Sequence, residues 1–130
     1  MNILIITPNN QVANEIKETV NKDIIGGNFD VVVDISHARY QVRSKEYKIV
    51  VIDMMSQEFF NMNTKPILYS PTSFIKKLKI ENPQLKIFAL FNENKTGKKG
   101  QDEIKELGYE VGAYSFISNE WRKRLKKYMY

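Results

Sequence analysis

The chain has 130 residues, 42% of them hydrophobic and none of them cysteine, with a formal net charge of +5. That length fits one domain, 1–130, able to bury about two-thirds of the surface its unfolded chain would expose, and the lack of cysteine excludes disulfides and thiolate metal sites. The apolar start, Met1 to Pro8, lacks the basic residues and long apolar stretch of a signal peptide, and no later run approaches a membrane span, so a soluble cytoplasmic protein is expected.

Ile3 to Ile6 reads as a first strand, broken by Pro8, after which Asn9 and Asn10 offer helix-capping side chains. The helix that follows carries Val12, Ala13, Ile16 and Val20 on one face and Glu15, Lys17 and Glu18 on the other, the spacing of a core-facing helix. Gly26 and Gly27 make a turn, and the valine-rich segment Phe29 to Ile35 predicts a second strand. Ser36 is placed to cap a short helix over 37–45, whose apolar face holds only Ala38 and Val42. Lys48 to Ile52 predicts a third strand, an unbroken apolar run of the kind buried on both faces of a parallel sheet, and it ends on Asp53.

The stretch 54–69 has no hydrophobic period and reads as a loop. Ser70, Pro71 and Thr72 start the next helix, with proline where its missing N–H costs nothing, and Asn82-Pro83 ends it. Phe74, Ile75 and Leu78 form its apolar face. Lys86 to Phe91 is the fourth strand, 92–100 a lysine-rich loop, and 101–107 a short helix stopped by Gly108. A fifth strand over 113–118 leads to a final helix from about Asn119, with Trp121, Leu125 and either Tyr128 or Met129 spaced to face the core.

Strands alternating with helices throughout imply an α/β fold: a five-stranded parallel sheet, doubly wound, with helices on both faces. The order 2-1-3-4-5 is expected, which sets the carboxyl ends of strands one and three side by side at the switch point where ligands gather. Asp53 lies there.

With that order, the chain resembles the receiver domain of bacterial two-component signalling over essentially its whole length. Ile49-Val50-Val51-Ile52-Asp53-Met54-Met55 is similar to the strand and loop that carry the family's phosphoaccepting aspartate, and Gly112 to Asn119 is similar to its fifth strand. The resemblance implies a flavodoxin-like signalling module, not an enzyme, whose aspartate accepts a phosphoryl group from a histidine kinase. That chemistry is mainly positioning and charge neutralisation.

The helper positions are all changed. The family's magnesium is held by an acidic pair just after strand one, because Mg²⁺ takes hard oxygen ligands; the matching residues are Thr7 and Pro8, with Asn9 next. The family's hydroxyl at the end of strand four maps to Phe91, or to Asn92 one residue on. Its lysine after strand five maps to Asn119, followed by Glu120 where proline is usual. The resemblance is therefore to a degenerate receiver, a pseudo-receiver that works by protein contacts without phosphorylation and needs no cofactor. Magnesium enters only if Asp53 is phosphorylated, and Asp34 at the end of strand two is the one displaced ligand that could join Asp53. A stand-alone regulator phosphorylated on Asp53 is the first competing reading.

His37 is the single histidine and suits a surface or capping role. Gly26-Gly27 and the segment 95–100 lack the spacing of a phosphate-binding loop. Phe116 matches the family's aromatic switch position, and with Tyr114 and Phe91 it could build a fixed aromatic cluster. The last helix sets Arg122, Lys123, Arg124, Lys126 and Lys127 around Trp121 and Leu125. Phe116, Trp121 and those five cations are the expected partner-binding residues. The partner would be a protein, in the family's terms a histidine kinase or an effector, or a second copy of the chain in a homodimer. A basic nucleic-acid-binding protein is the second competing reading, against which the chain has no recognisable nucleic-acid module.

Overall fold

The computed structural model describes residues 2–21, 28–54, 71–91, 112–117 and 119–129. The expected loops over 55–69 and 92–100, the short helix over 101–107, the glycine turn at 26–27 and Asn92 lie outside them.

Five strands, β1 (Asn2–Ile6), β2 (Asn28–Val32), β3 (Ile49–Asp53), β4 (Lys86–Phe91) and β5 (Gly112–Ser115), form one sheet in the order β2-β1-β3-β4-β5. Every pairing is parallel. The described helices are α1 (Asn10–Asn21), α2 (Ile35–Ser44), α3 (Pro71–Glu81) and α4 (Glu120–Met129). The predicted sheet order is the observed one.

The apolar run of β3 is buried at every position because it lies under helices on both sides. Alternation splits its side chains between two layers. Val50 and Ile52 join Leu4 and Ile6 under α2 and α3, packed with Ile35, Ala38, Phe74, Ile75 and Leu78. Val51 and Ile49 join Ile3 and Ile5 under α1 and α4, packed with Val12, Ile16, Trp121 and Leu125.

Local chemistry sets where helices begin. Asn9 caps α1: its Oδ1 accepts the N–H groups of Gln11 at 2.9 Å and Val12 at 3.3 Å. The start of α2 corrects the sequence expectation. β2 stops at Val32, and the cap is Asp34, not Ser36, its Oδ1 accepting His37 N–H at 2.9 Å. With that cap in place Ile35 opens the helix and is buried, so the apolar run Val31 to Ile35 spans a strand end and a helix start.

β5 is also shorter than expected. Phe116 N–H still donates to Phe91 O at 2.7 Å, but Phe116 and Ile117 form a turn that brings the chain into α4.

At the opposite end of the sheet, one polar group sits under α2. Asp30 of β2 accepts hydrogen bonds from Tyr47 Oη at 2.6 Å and Lys45 Nζ at 2.8 Å, and Gln41 donates to Tyr47 Oη at 2.8 Å. The Lys45 and Tyr47 hydrogen bonds hold the Asp30 carboxyl below its usual range. Burial, then its hydrogen bond to Asp30, pushes the Tyr47 phenol up to about 12. A depressed carboxyl stabilises the fold above its unfolded pKa, and that contribution is lost as pH falls through the folded value. A raised phenol stabilises it below the ordinary value of 10.0, and that contribution is lost as pH rises to about 12. The stability margin of wild type over Tyr47→Phe should therefore shrink across that alkaline window in urea denaturation. A margin constant with pH would contradict it.

Candidate functional site

The carboxyl ends of β1 and β3 are adjacent, with Ile6 in register with Ile52. The next residue on each strand is Thr7 and Asp53. Both are buried, each 2% exposed. Thr7 N–H continues the ladder by donating to Val32 O at 2.9 Å, which fixes the backbone from which its side chain projects.

Thr7 Oγ1 donates to Asp53 Oδ2 at 2.7 Å. The same hydroxyl accepts Asn9 N–H at 3.1 Å, and Asn9 in turn caps α1. A hydrogen-bonded chain thus runs from Asp53 through Thr7 to the first turn of α1. A short hydroxyl–carboxylate bond is among the stronger ones in a protein, and burial makes its loss costly. Thr7→Val keeps the shape and removes the hydroxyl, leaving Asn9 N–H without this acceptor. It should destabilise the protein by about 1.5–3 kcal/mol in urea denaturation, and a change under about 0.5 kcal/mol, the range of a neutral surface substitution, would show that the bond does not contribute.

Pro8 is half-buried and has no side-chain donor. Met54 N–H donates to Leu90 O at 2.8 Å, extending the β3–β4 ladder one step past Asp53. Phe91 ends β4 and packs on the layer under α2 and α3, whereas Phe116 packs on the layer under α1 and α4. The two rings lie on opposite faces of the sheet, so an aromatic cluster containing both does not form. Asn119 is exposed, and its carbonyl accepts Lys123 N–H at 3.1 Å at the start of α4.

A magnesium ion does not fit this donor set. The Thr7 hydroxyl already donates to Asp53, and Pro8 offers no side-chain oxygen. Asp34 caps α2 and lies 2.7 Å from His37 Nδ1. Among the described residues no three His, Asp or Glu side chains gather where they could hold a metal.

The expected partner surface needs one correction. Trp121 is fully buried, its Nε1–H donating to Phe116 O at 2.9 Å, so it belongs to the core and offers nothing to a partner. Phe116 is half-buried and stacks on Trp121 with centroids 6.0 Å apart. The Arg122 guanidinium lies over Trp121, 4.5 Å from the ring centroid, and its Nη2 is 3.9 Å from Glu15 Oε2. Arg124 bonds Glu120 at 3.1 Å. Lys123 and Lys127 are exposed, Lys126 is half-buried, and Ile117, in the turn that precedes α4, is 74% exposed.

Sequence reading missed the polar group around Asp30. Its signal was present, since a lone carboxylate inside the apolar segment Phe29 to Val33 must find partners. Those partners, Lys45 and Tyr47, follow 15 and 17 residues later.

Comparison with known structures identifies the fold. The chain is similar to the signal receiver domain of a DNA-binding response regulator from Colwellia psychrerythraea, with a TM-score of 0.72 and 14% identity over 99% of this chain and 98% of that one. It is similar to the receiver domain of the Francisella response regulator 1452, with a TM-score of 0.63 and 18% identity over 99% and 98% of the two chains. The Vibrio cholerae chemotaxis protein CheY4 gives a TM-score of 0.64 and 15% identity over 97% and 96%. At such identities the likeness is one of fold. No protein-family model matches the chain, and no curated protein matches it.

Proposed function

We propose that this chain is a receiver-like signalling module that acts through protein contacts and does not take up a phosphoryl group on Asp53. The observation that carries this reading is the 2.7 Å hydrogen bond between two buried side chains, Thr7 and Asp53, at the switch point of the sheet. The carboxylate oxygen that accepts Thr7 ties the end of β3 to the turn between β1 and α1, and among the described residues no acidic cluster stands beside it. Asp53 thereby serves as a structural link.

The partner surface consists of the turn at Phe116 and Ile117 together with the outer face of α4. Its exposed Lys123 and Lys127 favour an acidic protein, by steering and by complementarity at the rim. Both lysines are exposed, while Trp121 and Leu125 carry the core face of the same helix, so they can be reversed without loss of the fold.

The reading is tested on a captured partner by measuring its affinity for three proteins. Asp53→Asn should bind as wild type does, and Lys123→Glu/Lys127→Glu should bind at least tenfold more weakly. Affinity that follows Asp53 and ignores the lysines would overturn it. Salt-sensitive binding to a generic duplex by wild type, lost in the lysine variant, would favour the nucleic-acid reading instead.

A further inference from the structure

A second cleft lies at the other end of the molecule from Asp53. It opens where α2 and α3 end and where β3 and β4 begin, and its volume is about 400 Å³. Close-packed interiors leave few voids larger than a water molecule, whose share of liquid volume is about 30 Å³. A cavity of this size falls within the roughly 300–1,000 Å³ range of small-molecule sites.

Its chemistry is two-sided. Val50, Leu78 and Leu85 form an apolar floor that belongs to the packed layer under α2 and α3. Four cations line the walls, Arg39, Arg43, Lys45 and Lys77, against two carboxylates, Glu46 and Glu81. Lys45 is held by Asp30 at 2.8 Å and Lys77 lies 4.0 Å from Glu81. Arg39 and Arg43 stand four residues apart on α2, and so on one face of that helix. A guanidinium pair on one wall above an apolar floor matches a carboxylate or phosphate head carried on an apolar body.

We infer that the cleft between the C-terminal ends of α2 and α3 binds an amphipathic organic anion, with its apolar body on Val50, Leu78 and Leu85 and its charged head against Arg39 and Arg43. The site is separate from the Asp53 end of the sheet and does not depend on the reading of that end.

The probe is dodecanoate, below its micelle concentration, with dodecanol as the uncharged control, added to the full chain and followed by methyl NMR. Saturable one-to-one shifts confined to Val42, Val50, Leu78 and Leu85 are expected, with affinity at least tenfold lower for dodecanol. Arg39→Glu/Arg43→Glu should weaken dodecanoate at least tenfold and leave dodecanol unchanged. Val42→Trp, which fills the cleft from a half-buried position, should abolish binding of both. Shifts that do not saturate, shifts spread over the surface, or a charge-reversed variant that binds dodecanoate as wild type does would each overturn the inference.

Discussion

Trp121→Ala should remove about 3–5 kcal/mol of stability, the cost of deleting a large, fully buried aromatic side chain. The loss has three physical parts. The indole is 0% exposed and fills the layer between α4 and the sheet. Its N–H satisfies the Phe116 carbonyl at 2.9 Å, and its ring stacks on Phe116 and lies under the Arg122 guanidinium. Domains of this size are stable by only about 5–15 kcal/mol, so the variant should sit near the edge of folding at 37 °C. Urea denaturation reads the change directly. Trp121→Phe keeps most of the burial and should recover more than half of the loss, whereas equal loss in both variants would assign the effect to the Phe116 hydrogen bond alone.

Trp121 also shows where sequence reasoning succeeds and where it conflicts with itself. Helical spacing placed Trp121 and Leu125 toward the core, and both are fully buried. The cations around them point to a partner-binding helix, but the indole is buried beneath that surface and is no part of it. Period identifies a face, and burial assigns its role.

The α/β class and the order of all five strands were legible because each strand had a distinct apolar signal and parallel α/β sheets obey few topologies. Element ends were less so. Val31 to Ile35 is apolar apart from Asp34, and only the contact of Asp34 Oδ1 with His37 N–H decides that the helix begins at Ile35. Phe116 similarly continues a β-like run, yet the chain turns there so that Trp121 can reach its carbonyl. Both deviations come from side chain to backbone hydrogen bonds that propensity does not represent.

The candidate site was half legible. Asp53 stood out as the carboxylate ending an apolar strand, and the expected sheet order put Thr7 beside it. What the sequence could not reveal is that Thr7 is fully buried and aims its hydroxyl at Asp53, because that contact joins residues 46 positions apart. The threonine gives Asp53 a hydrogen-bond donor at a position where the receiver resemblance would put an acidic residue.

Phosphoryl transfer to an aspartate depends on neutralising charge on the transferring group. A single preorganised donor or cation in such a site contributes roughly 3 kcal/mol, so losing two of them slows the step by about 10⁴-fold. The positions matching the acidic pair hold Thr7 and Pro8, and those matching the hydroxyl and the lysine hold Phe91 and Asn119. The most direct test is intact mass spectrometry of the full chain after incubation with acetyl phosphate and Mg²⁺, with Asp53→Asn in parallel. Wild type should carry no phosphoryl adduct on the timescale that fully labels a competent receiver. An adduct on wild type that disappears in Asp53→Asn would contradict the assignment of Asp53 as a structural carboxylate.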